Sequence, residues 1–241
     1  MTETGVVCGI SGCCVADAIA DIDQDVAVRH PMAMQNEYNP TISAFVADKP
    51  SSAFGSAITL PWQATQQAEH LVIDQIDRLD ADYEVSGAVA VHVTARVEDG
   101  VVIKGPVIIG PNAFVAANAY LRGGVFIAND CIVGPSCELK TTFMFSGAKI
   151  AHLSFVGDSI IGSRANIEAG AIIANYRNEL EDKLIRIQSN GQVIETGVDK
   201  FGALIGDDAR VGANAVIAPG ALLDKKTVVR RASLLDQSPS S

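Results

Sequence analysis

The chain has 241 residues, enough for one large domain or two small ones. Apolar residues make up 48% of it but aromatic residues only 5%, so its core must come from Val, Ile, Leu and Ala, which suits narrow stacked layers better than a broad sandwich. A formal charge of -10 argues against nucleic acid or an anionic membrane as partner, and no apolar run reaches the roughly 20 residues needed to cross a bilayer.

Residues 1–40 show no clear period and are expected to form an extension, partly disordered. No basic residue precedes the apolar stretch in MTETGVVCGISGCC, so a secretory signal is not expected and a cytoplasmic location is. The five cysteines are an odd number, which argues against a disulfide framework. Cys8, Cys13 and Cys14 crowd the N-terminus, either as packed thiols or as part of a metal site. No matching pair of ligands stands further along the chain, so no metal is expected. Residues 41–82 form a helical segment. Within it Pro61 to Leu79 reads as one amphipathic helix, since Ala68, Val72, Ile73 and Ile76 recur at three and four, and it can cap an open end of the repeats that begin near residue 83.

From Val85 every sixth residue is large and apolar: Val85, Val91, Val97, Ile103, Ile109, Val115, Leu121, Ile127, Val133, Leu139 and Phe145. Two residues before each stands a mostly small or β-branched one, among them Ala113, Ala119, Val125, Cys131, Cys137 and Phe143. Two inward positions two residues apart fit a short strand, whose side chains alternate faces. A period of six fits neither a helix nor irregular sandwich strands. Three hexads make a triangular coil that buries its inner faces only by stacking on the next. The fold class is therefore all-β, a left-handed parallel β-helix of hexapeptide repeats over 83–231 with an N-terminal helical cap. Cys131 and Cys137 fall on inward positions and read as core.

The period slips after Phe145, where the large residues become Ile150, Val156, Ile161, Ile167 and Ile173, and resumes over Ile205, Val211, Ile217, Leu223 and Val229. Residues 177–200 are charged, break the period and leave the helix as an excursion loop, a common place for function. Residues 232–241, ending DQSPSS, read as a flexible tail.

The stretch KIAHLSFVGDSIIGSRANIEAGAIIANYRN, residues 149–178, resembles the acetyltransferase half of bifunctional N-acetylglucosamine-1-phosphate uridyltransferases and the related archaeal sugar-1-phosphate nucleotidyltransferases. The resemblance covers roughly residues 100 to 230. The whole chain looks most like standalone β-helix proteins related to them, with Pro40-Thr41-Ile42-Ser43, Pro61-Trp62, and Ile194-Glu195-Thr196-Gly197 leading to Lys200-Phe201-Gly202-Ala203. The glycine-rich nucleotide loop of the nucleotidyltransferase half has no counterpart.

The resemblance implies acetyl-CoA as co-substrate, a sugar phosphate or nucleotide sugar as acceptor, and a homotrimer. It makes His152 the base that takes a proton from the sugar amine, as an imidazole titrating near neutrality can. Read on the residues alone, His152 is more readily a corner histidine bonded to backbone. By the same matching Arg122 and Lys140 bind the sugar's phosphate. Independently, they lie 18 residues apart, each just after an inward Leu, and so stack on one face. If each five-residue step still turns one corner, Phe155, with His152 just before it, and Asn175 join their column. The alternative is a pair of solvated charges. Asn166, Asn175 and Tyr176 match positions that hold the sugar or the thioester oxygen, and an amide donor at Asn175 suits an oxyanion. Lys183, Arg186 and Lys200 are expected to close over the site. Ala169 and Ala213 match positions along the CoA groove, with Lys225, Lys226 and Arg230 of KKTVVRR at the right end for CoA phosphates, unless that cluster is simply a solvated last coil. Phe155 stands where the family usually has tyrosine, and Ala213 where a serine is often found.

The expected function is acetyl-CoA-dependent N-acetyl transfer to an amino-sugar phosphate or nucleotide amino sugar. The alternatives are a non-catalytic sugar-nucleotide-binding or scaffold β-helix, and a sugar-1-phosphate nucleotidyltransferase, which the missing nucleotide domain counts against.

Overall fold

The computed structural model describes residues 40–47 and 58–239. Cys8, Cys13, Cys14 and the expected N-terminal extension lie outside the described residues. From 89 to 235 the chain stacks as seven coils, each contributing one short strand to each of three faces, here called A, B and C. Neighbouring coils pair in parallel register, so Val91 sits beside Ile109 on face A, Val97 beside Val115 on face B and Ile103 beside Leu121 on face C. Ile109, Val115, Leu121, Ile127, Val133 and Leu139 are wholly buried, as the six-residue period requires. Cys131 and Cys137 are buried too. Their thiols donate to the carbonyls of Phe145 and Ala151 one coil on, and burial pushes Cys131 up to about 12.

The structure corrects the register at both ends of the first repeat block. Val85 is exposed and lies in Tyr83–Ser86, which runs antiparallel to Val89–His92. Gly87, at φ 58, makes the tight turn between them, so coiling begins at Val89. The first five-residue step falls at Leu139 to Met144, not after Phe145, because Ile127 pairs with Met144 and Phe126 with Phe143. The corner from face C to face A explains it. That corner holds two residues at Gly105-Pro106 and at Gly123-Gly124, but only Thr141 and then Asp158 in the next two coils, each in the left-handed region. Thr142 therefore turns inward, where its hydroxyl donates to the carbonyls of Lys140 and Val156.

The expected single helix is two, Pro61–Gln66 and Ala68–Ile76, broken at Gln67 (φ -101, ψ 10). They cover a flank of the solenoid, face A, rather than its open end. The reason is apolarity: Ile108, Phe126, Phe143 and Ile160 point outward on face A and are buried on the strands these helices contact. Ala68 comes so close that a Cβ on Gly124 would stand 2.6 Å from its carbonyl carbon. A four-residue helix, Ile42–Phe45, packs further along the same face, and its carbonyl at Phe45 accepts from the Asp207 amide. The buried Asp207 carboxylate in turn accepts from the amides of Ala47 and Ser163.

Between Ile173 and Ala203 the chain leaves the coils and forms a hairpin, Arg186–Ser189 with Gln192–Glu195. Residues 234–237 of the expected tail bond to the body. Leu234–Leu235 pairs with coil six, Asp236 binds the buried guanidinium of Arg177, and Gln237 bonds both Leu222 and Gln188. Among the described residues no helix is long and apolar enough to cross a membrane.

Ile109 is fully buried in a coil with no polar partner to offer, so Ile109→Asp strands a carboxylate at a cost of several kcal/mol. The expected outcome is loss of soluble, cooperatively folding protein, and Val133→Asp should behave alike. Cooperative unfolding of either variant at the parent temperature would defeat the register.

Candidate functional site

Face C and its corner towards face A gather most of the substrate set. Leu121, Leu139, Val156 and Ile173 align in successive coils, which places the residues after them, Arg122, Lys140 and Gly157, in one outward column. Phe155 is not in that column. It pairs with Glu138, two residues before Lys140, and so lies in the neighbouring outward column, because it precedes the inward Val156 whereas Arg122 and Lys140 follow their inward leucines. Arg122, Lys140, Phe155, Asn175, Tyr176 and Lys200 nevertheless line one open cavity of about 520 Å³.

Neither of the two stacked cations is a free solvated charge. Arg122 binds Glu138 at 2.7 Å, a half-exposed pair beside the Tyr120 ring. Lys140 gives 2.9 and 2.7 Å bonds to the two oxygens of Asp158, whose side chain is only 8% exposed. Asn175 donates its amide to the same carboxylate. Asp158 thus organises both residues, and it takes one of the two N–H donors of the Asn175 amide. Sequence reasoning missed Asp158. Its signal was the shortened corner, where a lone left-handed residue turns its side chain to the site. The lack of a Cβ at Gly157 is what admits Asn175, since one there would stand 2.7 Å from the Asn175 amide carbon.

His152 occupies the opposite edge of face C, in the corner from face B. It is exposed, and its imidazole makes no hydrogen bond or ion pair among the described residues, so it is not a corner histidine bonded to backbone. His152 and Asn175 therefore do not meet. The corner bonds stack His152, Ala169, Ala213 and Arg231 in one column over coils four to seven. Consecutive coils are separated by about 4.8 Å, the ordinary strand spacing. The Ala169 amide has no partner among the described residues, whereas that of Ala213 donates to Glu168 at 2.9 Å. Glu168 also takes a two-pronged bond from Arg231, and that guanidinium is the chief cause holding its carboxyl below the usual range. Glu168 and Arg231 were not anticipated.

The other expected site residues lie further apart. Asn166 lies on face B, where it borders a cavity of about 380 Å³ with Arg210, Arg230 and Arg231, and not on face C. Lys225 and Lys226 stand at the corner from face A to face B, so face B separates them from Ala169, Ala213 and Arg230. Of the three expected basic residues of the excursion, Lys200 alone lines the face C cavity, beside Asp199. Arg186 is held by Asp182 and Glu195 within the hairpin, and Lys183 sits over the Tyr176 ring while donating to the Asn178 and Leu180 carbonyls.

The model of the GMPPB C-terminal domain family matches residues 103–198. The chain is 35% identical over 153 residues to a bifunctional sugar-1-phosphate nucleotidylyltransferase/acetyltransferase of Sulfurisphaera tokodaii, which covers 63% of this chain and 38% of that one. It is 30% identical over 162 residues to a putative uncharacterized acetyltransferase, YaiX, of Escherichia coli, covering 67% and 66%. Among solved structures, a hexapeptide transferase family protein of Anaplasma phagocytophilum matches at 14% identity and a TM-score of 0.40, over 63% of this chain and 80% of that one. The chain spans well under half the length of the bifunctional relative.

Asp158→Ala leaves Lys140 without a counter-ion and Asn175 without an acceptor, so it should lower the unfolding free energy by about 2–3 kcal/mol. Glu138→Ala breaks the half-exposed pair and should cost under about 1 kcal/mol. Urea unfolding of the two variants checks the ranking, and equal losses would contradict the organising role of Asp158.

Proposed function

We propose, since this chain is a hexapeptide-repeat left-handed β-helix protein resembling the acetyltransferase domain of bifunctional sugar-1-phosphate nucleotidyltransferase/acetyltransferases, that it transfers an acetyl group from acetyl-CoA to the amine of a sugar phosphate or nucleotide sugar. The observation that carries this reading is the corner of coils four and five. There an exposed imidazole without a partner, His152, stands one coil from a free backbone N–H, that of Ala169.

A base and an oxyanion donor at that separation can serve one carbonyl. His152 accepts the amine's proton as the nitrogen attacks the thioester carbon. The carbonyl oxygen gathers charge against the Ala169 N–H, and the C–S bond breaks as the tetrahedral intermediate collapses. The proton on His152 passes to the departing CoA thiolate, which closes the cycle. Arg122 and Lys140, each paired with one carboxylate, and Lys200, which has no ion pair among the described residues, supply the donors for the anionic end of the acceptor. Ala213 and Arg230 continue the His152 corner towards the last coils, along which the CoA chain would run. Lys225 and Lys226, across face B, would meet only a remote phosphate.

The same reading makes the protein a homotrimer. Leu153, Ile172 and Leu234 leave large apolar side chains 71, 43 and 68% exposed around face C, and the catalytic corner is open to solvent in a single chain. A neighbouring copy covering that side would exclude water from the thioester. Sedimentation equilibrium at micromolar concentration should give three times the chain mass; a monomer would remove the second wall of the site.

His152→Ala should lower acetyl transfer to a panel of amino-sugar phosphates by roughly 10²–10⁴-fold, the usual loss for such a group, with little change in acetyl-CoA affinity. Lys140→Ala should instead raise the apparent KM for the phosphorylated sugar. Thiol release reads the transfer. Full activity in His152→Ala defeats the mechanism, and a parent protein that binds no CoA favours a non-catalytic scaffold.

A further inference from the structure

The Lys140–Asp158 pair stands between two cavities. Lys140 lines the larger one on face C, and Asp158 lines a second of about 220 Å³ on the other side of the corner. The two share Asp199 and Lys200, so they adjoin. The outer wall of the second comes from the break between the two helices on face A, through Gln66 and Glu69. Its floor is Thr141 with the left-handed Gly123, where a Cβ would stand 2.9 Å from the Thr141 hydroxyl. These helices lie outside residues 103–198, so this wall is no part of the matched domain.

The chemistry of the wall is uncommitted. Gln66, Glu69, Asp199 and Lys200 are exposed, and none of their side chains makes a hydrogen bond or ion pair among the described residues. Four polar side chains converge on one small space without satisfying each other. Glu69, Asp158 and Asp199 outnumber Lys200 there, and Asp158 already holds Lys140, which disfavours a phosphate. No aromatic ring lines this cavity, so a base has nothing to stack on. Carboxylates accept O–H donors in pairs, and an amide both gives and accepts, which suits adjacent hydroxyl groups. The space falls below the roughly 300 Å³ at which whole-ligand pockets begin, so it takes one unit of a larger molecule.

We propose that the cavity between the helix break and the corner holding Thr141 and Asp158 is a second subsite, which binds a vicinal-diol unit attached to the sugar phosphate held on face C. The acceptor is then a two-unit molecule. This rests on the reading of face C as a sugar-phosphate site and adds to it. The diol belongs either to a second pyranose or to the ribose of a nucleotide sugar.

Binding of glucose 1-phosphate, maltose 1-phosphate and UDP-glucose to the full chain, measured by calorimetry without any CoA, tests this. At least one of the two larger ligands should bind about tenfold tighter than glucose 1-phosphate, as expected for two further hydrogen bonds to charged groups. Whichever carries the gain names the source of the diol. The exposed double variant Gln66→Ala/Glu69→Ala should abolish that gain and leave glucose 1-phosphate affinity unchanged. Equal binding of all three ligands, or a gain that survives the double variant, overturns the subsite. No acyl transfer is involved, so a protein that shows the gain but transfers no acetyl group would sink the catalytic reading alone.

Discussion

Everything in this molecule hangs on the parallel register between one coil and the next. Each coil is too thin to bury its own residues, so the backbone bonds linking it to its neighbours and the apolar stack inside are one cooperative unit. The same register disciplines polar groups. The inward Cys131, Cys137, Thr142, Ser154 and Ser159 all donate to backbone carbonyls, most of them to the coil after their own. Such residues are tolerated inside because the stacked carbonyls are already in place. Gly202 shows how tight the return to the register is. A Cβ there would stand 2.1 Å from the Gly157 carbonyl oxygen and 2.2 Å from the Ser159 hydroxyl.

The three faces divide the remaining work. Face A is apolar outside as well as inside, so it needs the helices and recruits them. Trp62 is nearly buried against Phe201, ring to ring at 5.9 Å, so the first helix also fixes the place where the excursion rejoins the coils. Burying a side chain of that size contributes about 2–3 kcal/mol. Faces B and C carry charges and hydroxyl groups outward instead. The candidate chemistry lies on these uncovered sides and on the corners that bound them.

Legibility in the sequence followed the same division. The period of six exposed the coils, the inward cysteines and the shared face of Arg122 and Lys140, since each depends only on backbone repetition. Resemblance pointed to His152. What stayed hidden was whatever joins distant parts of the chain: Asp207 accepting from Ala47, Arg231 closing on Glu168, Arg177 on Asp236. The slip at Met144 was misplaced because Phe145 is apolar too, and hydrophobicity cannot separate an inward methionine from a phenylalanine at the next corner. That single residue changes the register only between Leu139 and Ile150, since Val156 falls beside Leu139 in either case and Phe155, standing before Val156, joins the Glu138 column. The place of Asn166 on face B stayed hidden for a different reason. A motif assigns it a role but says nothing of the face it occupies.

The excursion was expected to be a lid, and its anchors argue otherwise. Arg177, with a side chain only 4% exposed, bonds the Pro219 carbonyl and both oxygens of Asp236 and holds that carboxyl well below the usual range. Breaking such a pair would leave an uncompensated charge inside, which is costly. The hairpin is bonded in turn to Gln237, and its Ile187 and the preceding Ile185 pack against Gly220. At the far end Phe201 is clamped by Trp62, and Lys200 is the residue before it. Lys200 therefore reaches the cleft from a fixed point of backbone, with only its side chain free to adapt. A loop pinned at both ends and through its hairpin has little left to fold on binding. The cleft on face C is thus largely formed before any ligand arrives, and its selectivity resides in which charges remain unspent.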